Sequence, residues 1–211
     1  EILGRVERRE VDILLGTQMI AKGLDFPNVT LVGVINADVG MNLPDFRAAE
    51  RTFQLLTQVA GRAGRGGRKG EVLIQTALPG HYAIRCALEH DWLGFAEREL
   101  DERRDPGYPP HTRLANIVVS GPAEAQVQES AEGLAGWVRG AIRDGRLDAV
   151  ALLGPAPCAI DRIRERWRWH LLLRSTSARQ LGALCRALYR EHGTGTGQIR
   201  VIIDRDPVAL L

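Results

Sequence analysis

Six residues decide how this chain can be divided. Asp105-Pro106-Gly107-Tyr108-Pro109-Pro110 packs three prolines and a glycine together, and no helix or central strand runs through such a stretch, because each proline fixes φ and removes an amide donor. A stiff, extended link is the expected form. The hydrophobic pattern changes across it. Before the break, short apolar runs alternate with helical stretches; after it, strand-like runs flank two long amphipathic helices. At 211 residues and 45% hydrophobic, the chain can bury one large core or two small ones. The pattern favours a domain over residues 1–78, a helical connector and Pro-rich linker over 79–110, and a second domain over 111–211.

In the first part, Val11–Leu15 and Thr30–Asp38 read as buried strands and Glu71–Thr76 as a further strand of the type that closes a sheet, separated by loops and helices in the way of an α/β parallel sheet. Val39–Pro44 reads as a turn, and Asp45 as the N-cap of the helix that follows. Two more helices are expected near Gly80–His90 and Trp92–Arg104, the second with Trp92, Phe95, Ala96 and Leu100 as a core-facing stripe. Beyond the break, Leu114–Ser120, Ala149–Leu153, Arg164–Arg174 and Gln198–Asp204 read as strands, with helices at Ala123–Arg143 and Ser177–His192. That order, βαββαβ, belongs to small two-layer α+β domains of ferredoxin-like type.

Two segments of the first part carry chemistry. The helix from Asp45 ends in Gln58-Val59-Ala60-Gly61-Arg62-Ala63-Gly64-Arg65. At about 100° per residue, Gln58, Arg62 and Arg65 share one face, and Phe46, Ala49, Phe53, Leu56 and Ala60 the other. Gly61 and Gly64 leave room beside the guanidiniums for a phosphate to approach the backbone. A solvated polar stripe continuing Arg47, Arg51 and Gln54 is the competing account. Upstream, Gly16–Pro27 places Thr17, Gln18, Lys22, Gly23 and Asp25 in a loop between two apolar runs, where α/β sheets bind ligands. The run Gly61–Gly70 is no P-loop, since G-x-x-x-x-G-K-[ST] fails at every glycine.

Net charge is only +2, which excludes nothing, but its distribution is uneven. Between Pro155 and Arg190 stand eight arginines against Asp161 and Glu165, an electrostatic footprint for phosphates. Arg162, Arg164, Arg166, Arg168 and His170 alternate there with Ile163, Glu165, Trp167, Trp169 and Leu171. An extended segment would put the cations on one face, for DNA phosphates, with the tryptophans either stacking bases or facing a core. Cys86, Cys158 and Cys185 lack C-x-x-C spacing and read as free thiols. No apolar run is long enough to span a bilayer and no signal pattern opens the chain. The opening Glu1-Ile2-Leu3 reads as the start of an excised piece.

In this order, Gly16–Pro27 and Gln58–Arg65 resemble motifs V and VI of the second helicase superfamily, the latter fitting Q-x-x-G-R-x-x-R. Taken with Asp38, Asp45–Arg51 and Gly154-Pro155-Ala156-Pro157, they make the chain similar to the primosomal protein N′ family of replication-restart DNA helicases. The resemblance implies a partial RecA-like helicase lobe two, with a parallel sheet, followed by a small βαββαβ C-terminal domain. It implies that Arg62 and Arg65 reach the γ-phosphate of ATP, with Arg65 as arginine finger, and that Gln58 meets the phosphate or the attacking water. Gly23 and Asp25 would couple nucleotide to DNA, with Asp25 near the ribose. Thr17 would bond a DNA phosphate, with Gln18 and Lys22 on the same track.

ATP and Mg would be shared with a first lobe, because this chain holds no Walker A lysine and no D-E-x-H box. Alone it is expected to be inactive. Zinc is implied only for the longer family protein, on cysteines upstream of Glu1, and no metal is expected here. Branched and single-stranded DNA, single-stranded DNA-binding protein and primosomal loading proteins are the implied partners, in a bacterial cytoplasm near the nucleoid and away from membrane. A non-catalytic fork-binding scaffold with a degenerate first lobe is the alternative. An RNA-binding βαββαβ module ranks last, for want of the paired RNP aromatics.

Overall fold

The computed structural model describes residues 2–17, 29–61, 70–193, 195 and 197–210. The chain divides into two compact units, one of Glu1–Leu43 with Arg47–Glu99 and one of Pro44–Phe46 with Leu100–Leu211.

In the first unit, α1 (Ile2–Glu7) precedes β1 (Leu31–Val34), α2 (Asp38–Met41), α3 (Ala48–Ala60), β2 (Glu71–Ile74) and α4 (Tyr82–Glu89); α5 (Trp92–Glu102) begins here. β1 and β2 pair in parallel, Leu31 opposite Glu71 and Val34 opposite Ile74. Against them packs a small core of Ala37, Phe53, Leu56, Ala83, Ile84, Ala87 and Phe95. At its centre the rings of Phe53 and Phe95 stack with centroids 4.0 Å apart, an arrangement favourable beyond the area it buries.

Several expectations for this unit need correction. Val11–Leu15 forms no strand, and Ile13 and Leu15 are exposed; an apolar run becomes a strand only where a sheet edge accepts it, and neither β1 nor β2 does. β1 stops at Val34 because Asn36 adopts a left-handed conformation, φ 59°, which Asn tolerates. The chain then turns into α2, so Val39–Met41 is helical. Asp45 is not the N-cap of α3; that position is Arg47, whose side chain makes no capping bond. Phe46 likewise lies outside the helix. On α5 only Phe95 of the expected stripe is buried, while Trp92 and Leu100 are exposed. In their place Glu99 is buried, accepting from the Tyr82 hydroxyl at 2.6 Å.

The second unit is built on β3 (Arg113–Gly121), α6 (Glu124–Asp144), β4 (Val150–Ile163), β5 (Arg166–Ser175), α7 (Ala178–His192) and β6 (Arg200–Arg205). Its four strands form an antiparallel sheet in the order β4-β5-β3-β6. Period-two alternation sends Ala115, Ile117, Val119, Leu171 and Leu173 to one face. There they meet Val127, Ala131, Leu134 and Val138 of α6 and Leu181, Leu184 and Leu188 of α7, all buried at helical spacing. Ser177 caps α7 through the Gln180 amide, 3.3 Å away.

Residues 105–110 form no extended link. Gly107 N–H donates to Arg104 and Tyr108 N–H to Arg103, so this segment turns back on itself. The reach of Arg174, whose Nη1 donates to the Pro106 carbonyl, holds it against β5. Two strand bounds also differ. β4 runs on to Ile163, and Arg164-Glu165 is the hairpin turn, both residues at positive φ. β4 is irregular near Gly154, at φ +89°, where a Cβ would stand 2.9 Å from the His170 carbonyl oxygen. Only glycine fits that approach.

Candidate functional site

Helix α3 presents the first candidate surface. Its buried face is Ala48, Thr52, Phe53, Leu56 and Val59. Gln54 and Gln58 lie exposed on the other side, and Gln54 is held by Glu50 at 3.4 Å. The Gln58 side chain makes no hydrogen bond among the described residues. The helix ends at Gly61, whose amide closes the last turn on Thr57. Arg62 and Arg65 lie outside the described residues, as do Gln18, Lys22, Gly23 and Asp25. Thr17 is described and exposed.

Asp38 stands at the start of α2 and accepts two hydrogen bonds, from the Ala77 amide at 2.7 Å and the Thr76 hydroxyl at 2.5 Å. Those bonds, the amide's first, hold its carboxyl below the usual carboxylate range. The chain leaving β2 is thereby fixed to α2.

The arginines expected to line one strand are divided by the hairpin. Arg162 faces Trp167 across the β4–β5 pair, with its guanidinium 5.3 Å from the ring centroid and bonded to Glu165 at 2.5 Å. Arg166 and Arg168 point to the opposite face, as alternation along β5 requires. Arg166 donates to the Ser120 and Gln198 carbonyls at 2.9 and 2.7 Å, and Arg168 to the Ile160 carbonyl at 3.1 Å. These three guanidiniums therefore tie the sheet together. Arg164, at the exposed tip, has no partner among the described residues. Trp167 and Trp169 pack against the core. On the Arg168 side, His170 Nδ1 donates to Asn116 Oδ1 across 3.2 Å. Burial, and then the Arg168 charge, push its pKa down.

A basic groove of about 540 Å³ between α7 and β6 went unassigned in the sequence. Arg186 and Arg205 converge over Gly182: a Cβ there would stand 3.4 Å from Arg186 Nη1 and 2.9 Å from Arg205 Nη1. Arg190 and Tyr189 extend the rim, over a floor of Cys185 and Ile203. The i, i+4 spacing of Arg186 and Arg190 was the available signal, but the third cation comes from a strand that only the fold brings near. The free thiols Cys86, Cys158 and Cys185 are raised in pKa, each chiefly by burial. Among the described residues no three His, Cys, Asp or Glu side chains are placed to hold a metal, and no helix is long and apolar enough to cross a membrane.

Two family models match the two parts of the chain in turn. The helicase conserved C-terminal domain covers residues 1–67, and the primosomal protein N C-terminal domain covers residues 104–208. Replication restart protein PriA of Bacillus subtilis strain 168 is 42% identical over 206 residues, 98% of this chain and 25% of that protein. The chain belongs to the PriA family. PriA of Synechocystis sp. PCC 6803 is 43% identical over 83% of this chain and 21% of its own length. PriA of Treponema pallidum strain Nichols is 39% identical over 96% of the chain and 30% of its own length. The chain thus spans about a quarter of the length of the PriA relatives it matches.

Proposed function

We propose that this chain supplies the arginine-bearing wall of the ATP site in a DNA helicase that restarts replication. The parent protein would move 3′ to 5′ at stalled or repaired forks and begin primosome assembly. The first unit is read as part of a RecA-like lobe two, and the second as a βαββαβ domain of ferredoxin-like order. The observation that carries this is the orientation of α3: its apolar face is packed in the core while Gln58 lies bare to solvent one turn from the helix end. A residue meant to meet phosphate or water must stay free of local partners, and among the described residues Gln58 has none.

Arginine suits the next positions because it stays charged and donates through a fork matched to phosphate oxygens. In this reading Arg65 is the finger, Arg62 supports it, Gly23 and Asp25 line the nucleotide side of the loop, and Thr17, Gln18 and Lys22 follow the DNA. ATP brings the phosphoryl group, and Mg would be held by groups outside this chain, which carries neither a Walker A lysine nor a D-E-x-H box. The chain alone is accordingly proposed to be inactive. Branched and single-stranded DNA, single-stranded DNA-binding protein and primosomal loading proteins are the proposed partners, in the cytoplasm near the nucleoid.

The test is Arg65→Ala in the full-length protein. DNA-stimulated ATPase should fall by about three orders of magnitude or more, the scale of other finger arginines, while fork affinity is retained. ATPase at the wild-type rate would overturn the assignment.

A further inference from the structure

The groove between α7 and β6 lies wholly within the second unit, and the ATP-site reading makes no use of it. Its walls follow from the local periods. Helix α7 turns Leu181, Leu184 and Leu188 into the core, which leaves Arg186, Tyr189 and Arg190 on the flank that borders β6. On β6, alternation puts Arg205 on the same face as Val201 and Ile203, which pack against that core. Arg205 is held in place: its Nη2 donates to the Ala178 carbonyl at 3.2 Å, and its Nε lies 3.8 Å from the Asp206 carboxylate. Its Nη1 is left over Gly182. Arg186 brings its own Nη1 to the same point, and the absent side chain of Gly182 leaves room for both.

Two like charges repel when gathered this way, and an anion between them turns repulsion into attraction. Among the described residues no carboxylate lines the groove, and Asp206 is shared with Arg113 at 3.6 Å. Arg186 and Arg190 make no hydrogen bond or ion pair among the described residues. They stand one turn apart, about 6 Å along the helix axis. Tyr189 lies beside them with its side chain 67% exposed.

We infer that this groove is the single-strand contact of the second unit: Arg186 and Arg205 clamp one DNA phosphate over Gly182, Arg190 meets the next, and Tyr189 stacks an unpaired base. Cations beside an open aromatic ring suit unpaired nucleic acid, because phosphates need charge and bases need a flat apolar face. A duplex keeps its base faces in its own stack, and an acidic peptide needs only the cations. The inference rests on the DNA-helicase reading above. It moves the strand contact off β5, where Arg166 and Arg168 are tied to carbonyls.

Binding of a fluorescent single-stranded oligothymidylate to the full-length protein, titrated over a range of salt, tests it. Arg186→Gln with Arg190→Gln should lower the slope of log affinity against log salt by roughly 0.7–1.4, the value for one to two phosphate contacts on a single strand. Tyr189→Ala should weaken binding about ten-fold, the scale of one stacked base, with the slope unchanged. Tyr189→Phe keeps the ring and should bind as wild type does. Blunt duplex should bind Tyr189→Ala and wild type alike. All three positions are exposed, and melting temperatures confirm that each variant is folded. A wild-type slope in the double arginine variant would overturn the inference, as would an equal loss on blunt duplex for Tyr189→Ala. Lost binding of a fluorescent oligoglutamate peptide, with the DNA slope intact, would overturn it in favour of an acidic protein. If the wild-type protein itself fails to bind the strand, the helicase reading falls and the groove assignment with it; if it binds and the variants match it, only the groove assignment falls.

Discussion

The two hydrogen bonds on the Asp38 carboxylate exist only in the folded chain, and they favour its ionised form. A carboxyl whose folded pKa lies below its unfolded value contributes stability above the unfolded value, and that contribution is lost as pH falls through the folded one. The unfolded value is near 3.8, so the loss belongs to the acid side of that pH. Asp38→Asn should therefore melt earlier than wild type at pH 7, and the difference should close as pH falls below 3.8. Thermal melts from neutral pH into acid check this; a constant gap would mean that Asp38 acts only through its shape. At this scale the sequence was legible where a residue's role follows from its own helix face. Gln58 was read as facing away from the apolar stripe, and it does. Asp45 was misread as a cap because its true partner, Leu210, stands 165 positions along the chain, and no local rule reaches that far.

Elements were legible where periodicity ran unbroken, as in α6 and α7, and were misread where the backbone turned without a turn residue. Arg164-Glu165 makes a two-residue hairpin with φ of 49° and 61°, yet neither residue favours a left-handed conformation, so the stretch read as continuous strand. The same turn split the supposed cationic face, leaving Arg162 beside Trp167 and Arg166 among carbonyls. Replacing the pair by Asn-Gly supplies the residues this turn type prefers. It removes strain of roughly 1–2 kcal/mol per residue and forfeits an exposed ion pair to Arg162 worth ~0–1 kcal/mol. The exchange should raise the unfolding free energy by roughly 1–4 kcal/mol in denaturant titrations. It also deletes the Arg164 cation without disturbing the sheet. If that cation meets a DNA phosphate, the salt slope of binding in the full-length protein should fall by about 0.7–0.9; an unchanged slope confines DNA binding to other surfaces.

For the whole molecule, the question is which parts of the chain melt together. Among the described residues, fifteen buried ones form the core of the second unit between a four-stranded sheet and two helices, whereas seven form that of the first beside two short strands. Burial scales with the area removed from water, so the first unit should unfold at the lower temperature and calorimetry should resolve two transitions. Phe46 and Phe53 are seven positions apart and discriminate this from a simple division at the Pro-rich segment. Phe53→Ala empties a site stacked on Phe95 and should cost the lower transition about 3–5 kcal/mol, the range for a buried phenylalanine. Phe46 stacks on Tyr108 within the second unit, so Phe46→Ala should instead depress the upper transition, by ~1–2 kcal/mol for a half-buried ring. Were both substitutions to lower the same transition, Pro44–Phe46 would fold with its sequence neighbours instead.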